Sequence, residues 1–182
     1  MQQFKWPLIQ NNLTDQDKKA LIKHIQKSDR FTQGDQVRKF EQDWSAWLGV
    51  KHSIFVSSGS AANFLTLSAL RDLRGLGEVI VPPLTWVSDI VSVIENGFMP
   101  VFVDINPQTL ALDFEGIKKN ITSKTKAVFL THILGLNGID RRILDLLKEK
   151  NILLLEDACE SHGATFGKKK VGSIGFASNF SF

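Results

Sequence analysis

Cysteine is nearly missing. Cys159 stands alone among 182 residues, which excludes an internal disulfide and a Cys-based zinc site. Charge of one sign is scarce too: Lys plus Arg is 22, Asp plus Glu is 19, and the net charge is +3. So small and scattered a surplus argues against a nucleic-acid partner. The one basic run, Lys168-Lys169-Lys170, lies between Gly167 and Gly172 and reads as a solvated turn. No apolar run approaches the roughly 20 residues that span a bilayer, and Met1 to Trp6 shows no apolar core followed by a cleavage site. These absences predict a protein of the reducing cytoplasm, with no membrane partner. Tyr is absent while Phe occurs 13 times, a bias without a functional reading. Disorder is excluded as well, because 43% of the residues are hydrophobic and apolar runs recur along the chain.

What is present alternates. Thr14-Asp15-Gln16-Asp17 opens a capped amphipathic helix running to Lys27. After a loop from Asp29 to Gly34, Val37, Phe40, Trp44 and Trp47 or Leu48 recur at helical spacing, and Gly49 ends that helix. Short strands are then expected at Ser53–Val56, Val79–Val81, Val101–Val103, Ala127–Leu130 and Ile152–Leu155. Helices are expected between them at Ser60–Leu73, Trp86–Glu95, Phe114–Asn120 and Ile139–Lys150. That rhythm means an α/β fold with a mostly parallel sheet covered on both faces, a three-layer sandwich. Beyond Gly163 the pattern changes to a hairpin at Thr165–Gly172 and a further strand at Phe176–Phe182. The sequence stops inside that strand, so an N-terminal portion of a longer protein is expected.

Ligands of such sheets bind at the carboxyl ends of the strands. Ser57-Ser58-Gly59-Ser60-Ala61-Ala62-Asn63 leads directly into a helix. Free amides and the positive end of the helix dipole suit an anion there, although an ordinary cap reads the same way. The segment is neither a Walker loop nor G-x-G-x-x-G. Trp86, behind Pro82-Pro83, is either a core indole or a plate for a flat ligand. Glu156-Asp157 follow the apolar Ile152–Leu155, and two acids there look dispensable for folding. A buried carboxylate needs a cationic partner, and a protonated ring nitrogen would serve. Cys159 reads as a small apolar residue and His162 as structural. Phosphate cradle, aromatic plate and acid together match pyridoxal 5′-phosphate.

From Phe31 to Phe182 the sequence resembles the DegT-type nucleotide-sugar aminotransferases, fold type I pyridoxal-phosphate enzymes. The markers are Phe31-Thr32-Gln33-Gly34, Ser57 to Asn63, Val81-Pro82-Pro83-Leu84-Thr85-Trp86, and Pro100-Val101-Phe102-Val103-Asp104-Ile105. Glu156 to Ala164, Gly172-Ser173-Ile174-Gly175 and Phe180-Ser181-Phe182 complete them. The resemblance implies an N-terminal helical segment over residues 1–30 and an incomplete cofactor-binding large domain over residues 31–182. It gives Gly59, Ser60 and Ser181 to the cofactor phosphate, Trp86 to the face of the ring and Asp157 to the ring nitrogen. Glu160 stands where many members have Gln, near the ring hydroxyl. A carboxylate there is turned away, protonated or bridged.

The resemblance further implies a homodimer when full length, a nucleotide-sugar substrate and an amino donor such as glutamate, in polysaccharide or secondary-metabolite biosynthesis. The deciding Schiff-base residue is expected past Phe182: Lys for an aminotransferase, His for a sugar 3-dehydratase. Lys168, Lys169 and Lys170 lie upstream of Ser181 and do not fill that place, so the chain alone is expected to be inactive. A non-catalytic module that binds a phosphorylated ligand is the remaining reading.

Overall fold

The computed structural model describes residues 12–182. The chain divides into two compact units, Met1–Phe40 and Glu41–Phe182. The first carries helix α1 (Asp15–Lys27), opened by the expected capping box. The Thr14 hydroxyl accepts the Asp17 amide, and the Asp17 carboxylate accepts the Thr14 amide at 2.8 Å. Helix α2 (Asp35–Leu48) begins in this unit and ends in the second. Gly49 stops it with φ +84°, the left-handed position that favours glycine.

The second unit is built on a five-stranded sheet in the order β2-β1-β3-β4-β7, parallel throughout. Its strands are β1 (Glu78–Val81), β2 (Met99–Phe102), β3 (Thr125–Thr131), β4 (Leu153–Asp157) and β7 (Ala177–Asn179). The period of two along each strand divides the core. Val79, Val81, Ala127, Phe129 and Leu155 face α3 (Gly59–Arg74) and α4 (Val87–Glu95), where Leu67, Leu70 and Val93 meet them. Ile80, Val128, Leu130 and Leu154 turn to the other face, toward Ile117 of α5 (Phe114–Asn120) and Ile143 and Leu147 of α6 (Arg141–Lys150). A parallel sheet needs this double cover, and the near-continuous apolar strands follow from it. The hairpin is present as β5 (Thr165–Phe166) with β6 (Lys169–Lys170).

Three expectations need correcting. Ser53–Val56 enters no sheet. Ile54 remains 82% exposed and the Phe55 amide donates to a Glu41 carboxylate oxygen at 2.8 Å, so the segment has no buried face to align it. The last strand is only Ala177–Asn179, because Phe180 and Phe182 leave the ladder for an aromatic cluster with Trp44 and His162. The basic run is not simply solvated. Lys170 donates to the Trp47 carbonyl at 2.6 Å, and its ammonium lies 4.8 Å from the indole centroid.

Candidate active site

Four of the strand ends and two helix starts meet around one cavity of about 420 Å³. At one side is the first turn of α3. Ser58 caps it, its hydroxyl accepting the Ala61 amide at 3.1 Å. The amides of Gly59 and Ser60 come earlier in the turn, where no helical acceptor lies beneath them. Ser181 arrives from the end of β7 and presses against Gly59. A Cβ on Gly59 would sit 3.0 Å from the Ser181 Cβ and 3.2 Å from its Oγ, so any larger residue needs Ser181 to shift by a few tenths of an ångström. The direction of Ser181 is set by its neighbours. Phe180 and Phe182 both lie against Trp44, with centroids at 5.0 and 4.8 Å, and the serine between them points away from that cluster. His162 belongs to the cluster as well, and burial holds its imidazole below the usual range.

Trp86 stands at another side. Pro82-Pro83 end β1, and Trp86 takes the N-cap position of α4 without a capping side chain. Its indole is 67% exposed, so it is not a core residue; it lines the cavity.

The floor carries Asp157, at the end of β4 and buried. Its Oδ1 accepts the Cys159 amide at 2.8 Å, and its Oδ2 lies 3.4 Å from the Asn63 amide nitrogen. Asn63 is one helical turn beyond Gly59, on the same face of α3. Its oxygen is held by Asn179 at 2.8 Å, and Asn179 accepts the Thr66 hydroxyl at 2.8 Å. Sequence reasoning quoted Asn63 in a motif without giving it a role, and missed Asn179.

It also missed Asp89. This acid lies in the first turn of α4 and is 1% exposed. Burial, reinforced by the Asp157 charge, pushes its carboxyl up to about 8.

Glu156 is not surplus, contrary to the sequence reading. It is fully buried on the opposite side of β4 from Asp157 and is an anchor of the fold. Its carboxylate accepts His132 Nε2 at 2.9 Å and the amides of Gly172 at 2.7 Å, Ile174 at 3.0 Å and Gly175. His132 Nδ1 accepts the Gly138 amide, which leaves the proton on Nε2. Burial alone would raise this carboxyl. The bonds from His132 and the glycine amides outweigh it and hold it below the ordinary value.

Glu160 is exposed and lines the cavity, and one oxygen accepts the Leu134 amide at 2.9 Å. Of the arrangements expected for it, the carboxylate is turned onto a backbone donor. Cys159 also lines the cavity, and burial with the Asp157 charge raises its thiol well above the usual range. It is therefore no nucleophile at neutral pH. The structure thus brings Gly59, Ser60, Trp86, Asp157, Glu160 and Ser181 into one cavity, and adds Asn63, Thr85, Ser88 and Thr131 to its wall.

Known proteins share this arrangement of sequence. The chain is 36% identical to the GDP-4-keto-6-deoxy-D-mannose 3-dehydratase of Yersinia pseudotuberculosis, over 98% of this chain and 46% of that protein. It is 35% identical to the GDP-perosamine synthase of Vibrio cholerae, over 97% of this chain and 48% of that protein. The structure of the E. coli GDP-4-keto-6-deoxy-D-mannose-3-dehydratase with bound hydrated PLP superposes with a TM-score of 0.87 at 34% identity. That match covers 94% of this chain and 45% of that one. The chain therefore spans about half the length of the curated relatives it matches. The DegT/DnrJ/EryC1/StrS aminotransferase family matches residues 12–182, nearly the whole sequence and every part of the cavity, and to that family this chain belongs.

Proposed function

We propose that the cavity holds pyridoxal 5′-phosphate, and that the whole protein uses it to transfer an amino group to a nucleotide-linked keto-sugar. One observation carries the reading: residues as distant as Gly59, Trp86, Asp157 and Ser181 line a single cavity. Its two ends differ in the way the cofactor requires. The α3 turn offers amides, the Ser60 and Ser181 hydroxyls and the positive end of a helix dipole, a fit for phosphate. The floor offers the buried Asp157, with a second buried acid, Asp89, behind the wall, and among the described residues neither has a cationic partner. A cationic ring nitrogen on Asp157 supplies what the floor lacks. Gly59, Ser60 and Ser181 would then hold the phosphate, Trp86 the ring face and Asp157 the ring nitrogen, within a cofactor-binding domain over residues 31–182. When bound, the cofactor provides an electron sink next to the substrate carbon. Asp157 favours the protonated nitrogen on which that sink depends. Glu160 is tied to the Leu134 amide.

The matched relatives make a GDP-linked keto-deoxyhexose the substrate to try first, with glutamate as amino donor. The same reading makes the full-length protein a cytoplasmic homodimer. Among the described residues no helix is long and apolar enough to cross a membrane. A 3-dehydratase is the second reading, favoured by the match to the Yersinia enzyme. Titrating the protein with pyridoxal 5′-phosphate and recording the visible spectrum tests the cofactor; no uptake overturns the proposal. Mass spectrometry of the sugar product then separates an amino sugar from a deoxy sugar that has lost water.

A further inference from the structure

Behind the cavity wall, bonded to its lining residues Asn63, Thr85 and Thr131, lies one acid more than the cofactor reading uses. Asp89 Oδ2 receives the hydroxyls of Thr85 and of Thr131, the latter at 3.1 Å. Its Oδ1 receives Asn63 Nδ2 at 2.6 Å. That same nitrogen reaches Asp157 Oδ2 at 3.4 Å and Ser88 Oγ at 3.0 Å. An amide has two hydrogens, so Asn63 cannot satisfy three acceptors at once. The charged group that faces Asp89 is Asp157, and the Cys159 thiol lies close enough to feel both acids. From α3 the facing group is the neutral Asn63, and from β3 the neutral Thr131. Two buried carboxylates without a cation share a proton, since both cannot ionise cheaply. Burial and the Asp157 charge raise the Asp89 carboxyl, so the proton belongs to the pair.

We propose that Asp89 and Asp157 form a shared-proton pair, and that Asp89 is a positioning residue that supplies, through Asp157, the proton carried by the ring nitrogen of the bound cofactor. This rests on the cofactor reading above. The O–H bond of the pair breaks, and an N–H bond forms as the lone pair of the ring nitrogen takes the proton. The acids pass from one negative charge to two while the ring gains one positive charge, so the total charge of pair and ring is unchanged. Asp89→Asn keeps the shape, its carbonyl accepting Asn63 and its amide now donating to the Thr85 and Thr131 hydroxyl oxygens, but carries no transferable proton. Binding to that variant must draw one more proton from solvent than binding to the wild type, whatever the protonation of the free ligand.

The test is isothermal titration calorimetry of the full chain at pH 7 with 4′-deoxypyridoxine 5′-phosphate, which lacks the aldehyde. Two buffers of different ionisation enthalpy give the proton count. The expected difference, Asp89→Asn minus wild type, is about one proton taken up. Equal counts overturn the proposal and leave the cofactor reading intact. No binding to the wild type overturns the cofactor reading and the transfer with it. Should Asp89→Asn fail to fold, infrared titration of the ligand-free wild type decides: a protonated-carboxyl band lost near pH 8 supports the pair, and no such band overturns it.

Discussion

Glu156 and Asp157 are neighbours on one strand, and the regions they enter are opposites. On one side of β4, Glu156 collects His132 and three backbone amides, all from its own chain. On the other, Asp157 has the Cys159 amide and a distant share of Asn63, with a second acid beside it. A carboxylate that holds a fold is saturated by that fold. One that receives a ligand is left short of donors, and here short of positive charge as well. Burial does not distinguish the two, since Glu156 is 0% and Asp157 3% exposed. The origin of their hydrogen bonds does.

The contrast is broken most violently from the saturated side. Glu156→Ala strands the amides of Gly172, Ile174 and Gly175 together with His132, and should destabilise the protein by about 4 kcal/mol in chemical denaturation. The unsaturated side should show the opposite tendency with pH. The Asp89 carboxyl rises from 3.8 to about 8 on folding, so the folded state binds the extra proton between those values. Stability contributed by that proton is complete below pH 4 and is lost as pH rises toward 8. Denaturation at pH 5 and pH 8 should therefore show a loss of about 3 kcal/mol in the wild type that Asp89→Asn lacks. If both proteins respond alike, the two acids do not repel and the contrast fails.

Smaller effects sharpen it at the α3 turn and at Trp86. Gly59→Ala drives a methyl group into Ser181 and should cost about 1–3 kcal/mol of stability while weakening inorganic phosphate binding in a competition assay. Trp86→Ala should leave stability within about 0.5 kcal/mol, since the indole is 67% exposed. It should weaken cofactor affinity by about two- to tenfold, measured by fluorescence titration.

The order of strands and helices was legible because it rests on local periodicity. The α3 turn, Trp86 and Asp157 were legible because each follows a strand or opens a helix. Glu156 was misread because three of its donors lie 16 to 19 residues downstream, beyond any local pattern. Asp89 was missed because an acid in a first helical turn looks the same whether it meets water or another acid. Ser53–Val56 has strand-like residues, but pairing is a non-local event, and here Glu41 takes the Phe55 amide.

Ser181 shows how little tolerance the stretch after β7 has. Phenyl rings on both sides of it lie against the Trp44–His162 cluster, Phe182 at its exposed edge, and the serine hydroxyl faces Gly59. The alternation makes this stretch sensitive to parity. Adding or removing one residue between Asn179 and Phe182 would swap serine and phenylalanine, carrying an aromatic ring into the helix mouth. Point substitutions there leave the count intact; a one-codon insertion inverts which side every residue serves.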